Sequence, residues 1–427
     1  MRLKTYIPIT DWLANYKKKD LLPDILAGLT IGSVAIPSGM AYGMLAGLPP
    51  IYGLYAALVP MFVYGIFGTS KHMIIGPAAI IALLVASGLT PLAEPSTPEY
   101  IGLVFTLTFV VGIVQFLMGL FRMGVLTKLL THPVVNGFTS AASIIVFFSQ
   151  LKHLLGIEMM RTNLVYKIVF EASQKLNEVH LPTLMIGIGG MVLLVIVKKT
   201  HKLLPGPLIA VVVGILVVWL LDLETAGVAV VSTMPSGLPD IILPSLESAT
   251  ILKMIPVILT ITIIGIVESL VIAKALRALH KNAYDIDPDQ EMRALGISNA
   301  VGAFFQAFPA AGSFSKTAVN DSAGARTSLS SIIGSFMVII TLAFLTPYFY
   351  YLPKTILASI IMVAIVKFID YKEAIRLLDT NLLDFTTLLV TFLATFYLGI
   401  ELGLLFGIAF SLLTIAYRKF ARKRPSS

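Results

Sequence analysis

Two charges lie deepest in apolar sequence, and chemistry would begin with them. Glu268 sits in Thr260-Ile261-Thr262-Ile263-Ile264-Gly265-Ile266-Val267-Glu268-Ser269-Leu270. Lys316 sits in Ala307-Phe308-Pro309-Ala310-Ala311-Gly312-Ser313-Phe314-Ser315-Lys316-Thr317-Ala318-Val319-Asn320. An ionisable side chain at membrane depth is costly, so it faces a cavity or a partner. The simplest arrangement is a Glu268–Lys316 pair. Glu268 would then be either a proton carrier in a co-transport cycle or a counter-charge that only locks the fold.

Around Lys316, Pro309 and Gly312 break the chain, and Ser313 is a suitable N-cap for a half-helix that starts mid-membrane. The run Lys71-His72-Met73-Ile74-Ile75-Gly76-Pro77-Ala78-Ala79-Ile80 has the same form. A short extended stretch meets Gly-Pro and an apolar helix follows. Proline suits a first helical position, so this second half-helix should begin near Pro77. Two helix N-termini aimed at one place offer free N–H groups and partial positive charge. With Lys316 added, that place suits an anion. Either break alone is explained by a packing kink; the two together favour a site. A Ser-Lys nucleophile pair from Ser313 or Ser315 is the enzyme reading. It is disfavoured because adjacent residues on a helix, such as Ser315 and Lys316, face different ways.

The elements that must position these residues are membrane spans. By length, 427 residues could make three soluble domains. Hydrophobic residues are 57% of the chain and charged ones 13%, and the mean hydropathy is +0.91. That composition excludes a soluble enzyme, a disordered scaffold and a nucleic-acid binder. The net charge of +8 reads as a membrane-orientation signal. Cysteine is absent and the six histidines have no paired ligand spacing, so no cofactor and no metal are expected. No cleavable signal peptide is read after Lys17-Lys18-Lys19.

From Ile25 to Ser70 there is no charged residue, 46 positions in all, with Pro49-Pro50 marking a turn between two spans. Further low-charge runs cover about 72–93, 100–121, 129–151, 181–197, 203–221 and 254–273. The second half continues with about 294–315, 327–353, 355–366, 385–400 and 402–417. The expected fold is an all-α polytopic membrane protein of fourteen segments, of which two, the third and the tenth, are broken. Each is the third of its seven, the position expected for an inverted repeat. With the N-terminus inside, 24 of the 31 Lys and Arg residues fall on the inner side, six fall outside, and Lys316 belongs to neither. That split puts both termini in the cytoplasm. The connections near 152–180 and 222–252 are expected to hold short surface helices and extended chain. Glu401 is read as a loop residue between the last two spans. Asp321 and Arg326 are placed where the tenth segment leaves the membrane. The organisation is then a cytoplasmic segment 1–22, a transporter domain 23–420 with halves at about 23–222 and 253–420, and a basic tail 421–427 that anchors to the membrane surface.

The sequence resembles the membrane part of the sulfate permease (SulP) family of anion transporters, from about residue 5 to 420. The residues that carry the likeness are Pro37-Ser38-Gly39-Met40-Ala41-Tyr42 and Ala46-Gly47-Leu48-Pro49-Pro50-Ile51-Tyr52-Gly53-Leu54-Tyr55. Phe67-Gly68-Thr69-Ser70-Lys71-His72, Gly76-Pro77 and Gly312 to Asn320 complete it. The resemblance implies two inverted repeats of seven, with segments 1–4 and 8–11 a mobile core and segments 5–7 and 12–14 a gate. Short extended strands would precede the half-helices of segments 3 and 10. The anion would lie between those half-helices, against Ser38, Tyr42, Ala78, Ala79, Ser313, Phe314, Ser315 and Lys316. Glu268 matches an acidic position linked with proton or ion coupling. Movement would be elevator-like. Many members carry Arg where Lys316 stands; lysine is a point charge and reads oxyanion geometry less strictly. Members usually continue into a cytoplasmic STAS domain, which would begin about where Ser427 stands; a truncated and a naturally short form both fit.

The expected function is secondary active transport of a small anion, sulfate first and proton-coupled. Bicarbonate, chloride, a dicarboxylate or an uncoupled channel are the alternatives. A nucleobase permease would carry acidic or amide groups where this chain has a lysine and hydroxyls, and a sensor would need a signalling module. The expected partners are the anion, the proton, the lipid bilayer of a plasma or inner membrane, and a second copy in a homodimer weakened if the STAS domain is missing.

Overall fold

The computed structural model describes residues 6–124, 131–160, 162, 164–200, 204–280 and 284–421. Lys128, Arg161, Lys202, Lys281 and the basic tail from 422 onward lie outside the described residues.

The chain makes fourteen segments. In the first half they are α1 (Leu21–Leu45), α2 (Pro50–Phe67), β1 (Ile75–Gly76) leading into α3 (Ala79–Leu89), α4 (Pro98–Leu120), α5 (His132–Ser149), α6 (Leu181–Thr200) and α7 (Gly206–Leu220). In the second half they are α8 (Ser248–Leu279), α9 (Pro288–Phe304), β2 (Ala311–Gly312) leading into α10 (Phe314–Ser322), α11 (Leu329–Ile340), α12 (Lys354–Ile365), α13 (Leu382–Leu398) and α14 (Ile400–Ala421). Among the described residues, seven of these helices are long and apolar enough to cross a membrane alone. Four more, α3, α7, α12 and α13, are apolar but shorter, as is the stretch Leu402–Thr414 of α14, and α9 and α10 are neither. The exceptions mark where chemistry displaces hydrophobicity. Short helices at Leu151–Leu155 and Val165–Gln174, and an extended stretch bridged at Val230 to Pro353, cover the face opposite the termini.

Helices α1–α4 and α8–α11 pack as one group, with α4 on α9, α1 on α11, α2 on α9 and α3 on α8. Helices α5–α7 and α12–α14 form the other, with α13 on α5 and α14 and α6 on α12. The groups meet through α1 against α7 and α12, and through α3 and α8 against α14. Lipid offers no hydrophobic drive between helices, so close backbone approach must hold them. A Cβ on Gly53 would stand 1.9 Å from the Gly39 carbonyl oxygen, so α1 and α2 cross where neither has a side chain.

Two boundaries differ from the sequence expectation. Helix α9 starts at Pro288, not near 294, because the Asp287 side chain caps it by accepting from the N–H groups of Asp289 and Gln290. Glu291 in its first turn is buried; its carboxylate accepts from the Tyr64 hydroxyl, the Thr69 N–H and hydroxyl, and the Ser70 N–H. Charge there reads as a loop, yet the partners are supplied from 221 to 227 residues away. Asp24 at the start of α1 is satisfied in the same way by the Arg326 and Thr327 N–H groups, the Thr327 hydroxyl and the Tyr16 hydroxyl. Burial, reinforced by the Asp24 carboxylate, pushes the Tyr16 hydroxyl up to about 12, so it remains a donor. The second difference is Glu401. The break between the last two spans is Gly399 (φ 93°), and Glu401 falls in the first turn of α14, not in a loop.

Candidate anion-binding site

Backbone that reaches membrane depth without helical bonding must find partners inside the protein. Here β1 and β2 supply them to each other as an antiparallel pair, Ile75 opposite Gly312 and Gly76 opposite Ala311. The Ser313 N–H adds a bond to the Ile74 carbonyl at 3.0 Å. Side chains meet the rest. Asn299 on α9 holds both groups of Ala310, accepting from its N–H at 2.8 Å and donating to its carbonyl at 3.1 Å. The same amide donates to Gln115 Oε1 on α4 at 2.8 Å. Ser269 Oγ on α8 accepts the Gly312 N–H at 2.8 Å. Thr317 Oγ1 accepts the Ile74 N–H at 3.0 Å, and Asn320 donates to the His72 carbonyl at 2.8 Å.

Because the strands run antiparallel, α3 and α10 leave the pair in opposite directions, and their N-termini face a common centre. Intrahelical bonding begins with the Ala82 N–H to the Ala78 carbonyl and the Thr317 N–H to the Ser313 carbonyl, both 2.9 Å. The N–H groups of Ala79, Ile80 and Ile81, and of Phe314, Ser315 and Lys316, precede that ladder. Neither N-cap closes its helix: Ala78 has no group to offer, and Ser313 occupies the cap position with no side-chain cap bond. Ser313 is thus the cap residue by place and not by bond. Pro77 is also displaced from expectation. The first helical residue is Ala79, so proline precedes the cap, and its carbonyl is free to accept.

Lys316 takes that carbonyl. Its Nζ donates to Pro77 O at 2.8 Å and lies 5.7 Å from the centre of the Tyr42 ring, and the residue is 2% exposed. The Glu268–Lys316 pair read from sequence does not form. The lysine amine lies beside the strand pair, where a Cβ on Gly76 would stand 3.6 Å from Nζ, an ordinary contact. Glu268 instead lies on the face of α8 turned to a cavity of about 720 Å³. That cavity separates the two helix groups. Ile80, Phe314 and Ser315 meet it at the half-helices, Asn136 and Thr139 on α5 form the opposing wall, and His132, Lys274 and Asp370 stand toward the face that carries the termini.

The structure therefore sorts the expected residues into three sets. Phe314, Ser315 and Glu268 line the cavity. Ala78, Ala79, Ser313 and Lys316 form the buried rim where the helices start. Ser38 and Tyr42 lie on α1 behind that rim, and the Ser38 hydroxyl donates back to the Val34 carbonyl at 2.7 Å. To serve an anion it must give up that bond. Sequence reasoning passed over Asn299, Gln115, Ser269, Thr317 and Asn320. Their signal was present as amides and hydroxyls in otherwise apolar runs beside a Gly/Pro break. Chemically, the centre offers two sets of backbone donors, two helix dipoles and one buried cation. Among the described residues no carboxylate pairs with Lys316, and a buried cation in that position attracts an anion.

The sulfate permease family profile matches residues 21–391. Sulfate transporter 4.1, chloroplastic, of Arabidopsis thaliana is 37% identical over 399 residues, covering 91% of this chain and 57% of the relative. Prestin of Danio rerio is 34% identical over 97% of this chain and 60% of its own. The chain thus spans about three fifths of the length of the curated relatives it matches. Among solved structures, the murine Solute Carrier 26 family member A9 anion transporter in its inward-facing state superposes with a TM-score of 0.91 at 27% identity, over 97% of this chain and 72% of that one. The transmembrane domain of the cyanobacterial bicarbonate transporter BicA shares the fold, with a TM-score of 0.79 at 20% identity over 93% and 98% of the two chains.

Proposed function

The chain belongs to the sulfate permease family, and from that premise we propose that it carries a small inorganic anion, sulfate first, across a membrane by secondary active transport. The observation that carries this reading is the facing pair of uncapped half-helices with Lys316 buried between them. Two dipoles and one cation favour an anion, and the absence of a bidentate guanidinium leaves room for more than one oxyanion shape.

In this proposal Ser38, Tyr42, Ala78, Ala79, Ser313, Phe314, Ser315 and Lys316 surround the substrate. Glu268, in the cavity wall, is the coupling group and takes the proton. The cavity is the inward route: both termini lie in the cytoplasm of a plasma or inner membrane, and the lining runs from the half-helices to that face. The helix group α1–α4 with α8–α11, the mobile core, shifts against α5–α7 with α12–α14 in an elevator-type cycle. A homodimer is the assembly.

Liposome reconstitution tests it. Labelled sulfate uptake is measured with and without an inward proton gradient, in the wild type, Glu268→Gln and Lys316→Ala. Uptake should rise with the gradient, and Glu268→Gln should lose that response. If the wild type ignores sulfate in both conditions, the substrate is one of bicarbonate, chloride or a dicarboxylate, tested in the same vesicles. Uptake that never saturates would make the protein a channel. Transport unchanged in Lys316→Ala would move the site elsewhere.

A further inference from the structure

Three residues far apart in sequence meet where segments 3, 8 and 10 reach the face of the termini. His72 precedes β1, His280 is one residue past α8, and Asp321 is in the last turn of α10. The two imidazoles stack, centroids 4.2 Å apart and planes within 4°. His280 Nε2 lies 2.6 Å from Asp321 Oδ1. One ligand atom from each of the three residues falls within 4.8 Å of the other two. The Tyr284 hydroxyl stands 3.2 Å from His72 Nδ1. The backbone of His72 is pinned, because Asn320 donates to its carbonyl. His72 is buried, whereas the side chains of His280 and Asp321 are 33% and 18% exposed, so the cluster can be reached from solution.

We propose that His72, His280 and Asp321 form a binding site for a divalent transition-metal ion of the zinc class. Two imidazoles and one carboxylate are a donor set that such ions prefer over Mg²⁺ or Ca²⁺. With metal–ligand bonds of about 2.0–2.2 Å, tetrahedral ligand atoms sit roughly 3.3–3.6 Å apart. The 2.6 Å His280–Asp321 contact must open by about 1 Å, the widest ligand pair must close by up to about 1.5 Å, and the stacked rings must turn so that their in-plane nitrogen lone pairs converge on the ion. Both moving side chains are at helix ends, where torsions can adjust. The fourth position falls to water or to the Tyr284 hydroxyl. A bound ion would tie together the lead-in to β1 and the last turns of α8 and α10, the three segments that place the half-helix N-termini and Glu268. Since the unfolded chain lacks this geometry, binding adds to stability by mass action. The competing explanation is a His–Asp hydrogen bond that only joins α8 to α10, and it binds no metal.

The test uses the purified, tag-free protein in detergent. Titrated Co²⁺ should give one equivalent with the visible absorption of a tetrahedral site, displaced by Zn²⁺, and the unfolding midpoint should rise with Zn²⁺ concentration. His280→Ala and Asp321→Ala should weaken binding at least about tenfold, the scale set even by lost supporting contacts around a metal. His280→Gln keeps a hydrogen bond to Asp321 and removes the ligand, so it preserves the fold and should still lose the absorption. His132→Ala, whose ring lies 3.5 Å from Glu373 elsewhere, should bind as the wild type does. A wild type without the absorption, or His280→Gln with the spectrum unchanged, overturns the site.

Discussion

The two broken segments occupy matching positions in the two halves and are built differently. Segment 3 runs through alanine, isoleucine and leucine alone from Ala78 to Leu84 after Gly76-Pro77, and it brings backbone donors without a polar side chain at its start. Segment 10 brings Lys316, Thr317 and Asn320 in nine helical residues. The way each strand is held differs too. The lead into β1 depends on segment 10, through Thr317 to Ile74 and Asn320 to His72. The region of β2 is held by its own half, through Asn299 to Ala310 and Ser269 to Gly312. A near-symmetric architecture thus holds a one-sided chemistry. The first half contributes dipoles and small residues that leave space; the second contributes the charge and most of the clamps.

Asn299→Ala should break this most severely. It strands both the N–H and the carbonyl of Ala310, and each buried polar group left unpaired costs about 1–3 kcal/mol. Thermal unfolding in detergent should show a drop larger than for any change in segment 3. Lys316→Ala comes next. A charge-assisted contact is worth roughly 1.5–3 kcal/mol, so sulfate binding should weaken on the order of 10- to 100-fold while the fold survives. Thr317→Val strands only the Ile74 N–H and should cost about 1–3 kcal/mol, less than Asn299→Ala in the same melt. Equal losses in the two melts would show that the second half clamps the β1 and β2 stretches equally strongly, against the difference drawn here.

The segment pattern was legible in sequence because composition alone enforces it: charge-free runs such as 25–70 cannot be anything else. The paired half-helices were legible because Gly-Pro and Pro-Gly breaks are local events. What sequence could not show depends on partners brought from afar. The start of helix α9 is hidden because Asp289, Glu291 and Arg293 look like loop; only the fold reveals that Glu291 is saturated by Tyr64, Thr69 and Ser70. Sequence separation carries no information on whether Glu268 and Lys316 meet, and in the fold Lys316 donates to the Pro77 carbonyl. Histidine spacing gave no metal pattern, since His72 and His280 stack only after segments 3 and 8 are packed.

The smallest expected effect is also the most pointed. Ala78 is the N-cap of α3 with φ −125° and ψ 143°, a conformation a capping serine readily adopts. Ala78→Ser should therefore let a hydroxyl accept from the Ile80 or Ile81 N–H, stabilising the protein by about 0.5–2 kcal/mol. Those are the N–H groups assigned above to the anion. If they bind it, the same substitution should raise the KM for sulfate by about threefold, roughly 0.6 kcal/mol. Stability and affinity then move in opposite directions from one added oxygen atom. The alanine would be explained as a cap left open for the substrate. A more stable protein with unchanged KM would mean that α3 contributes no donors, and that the second half binds the anion alone.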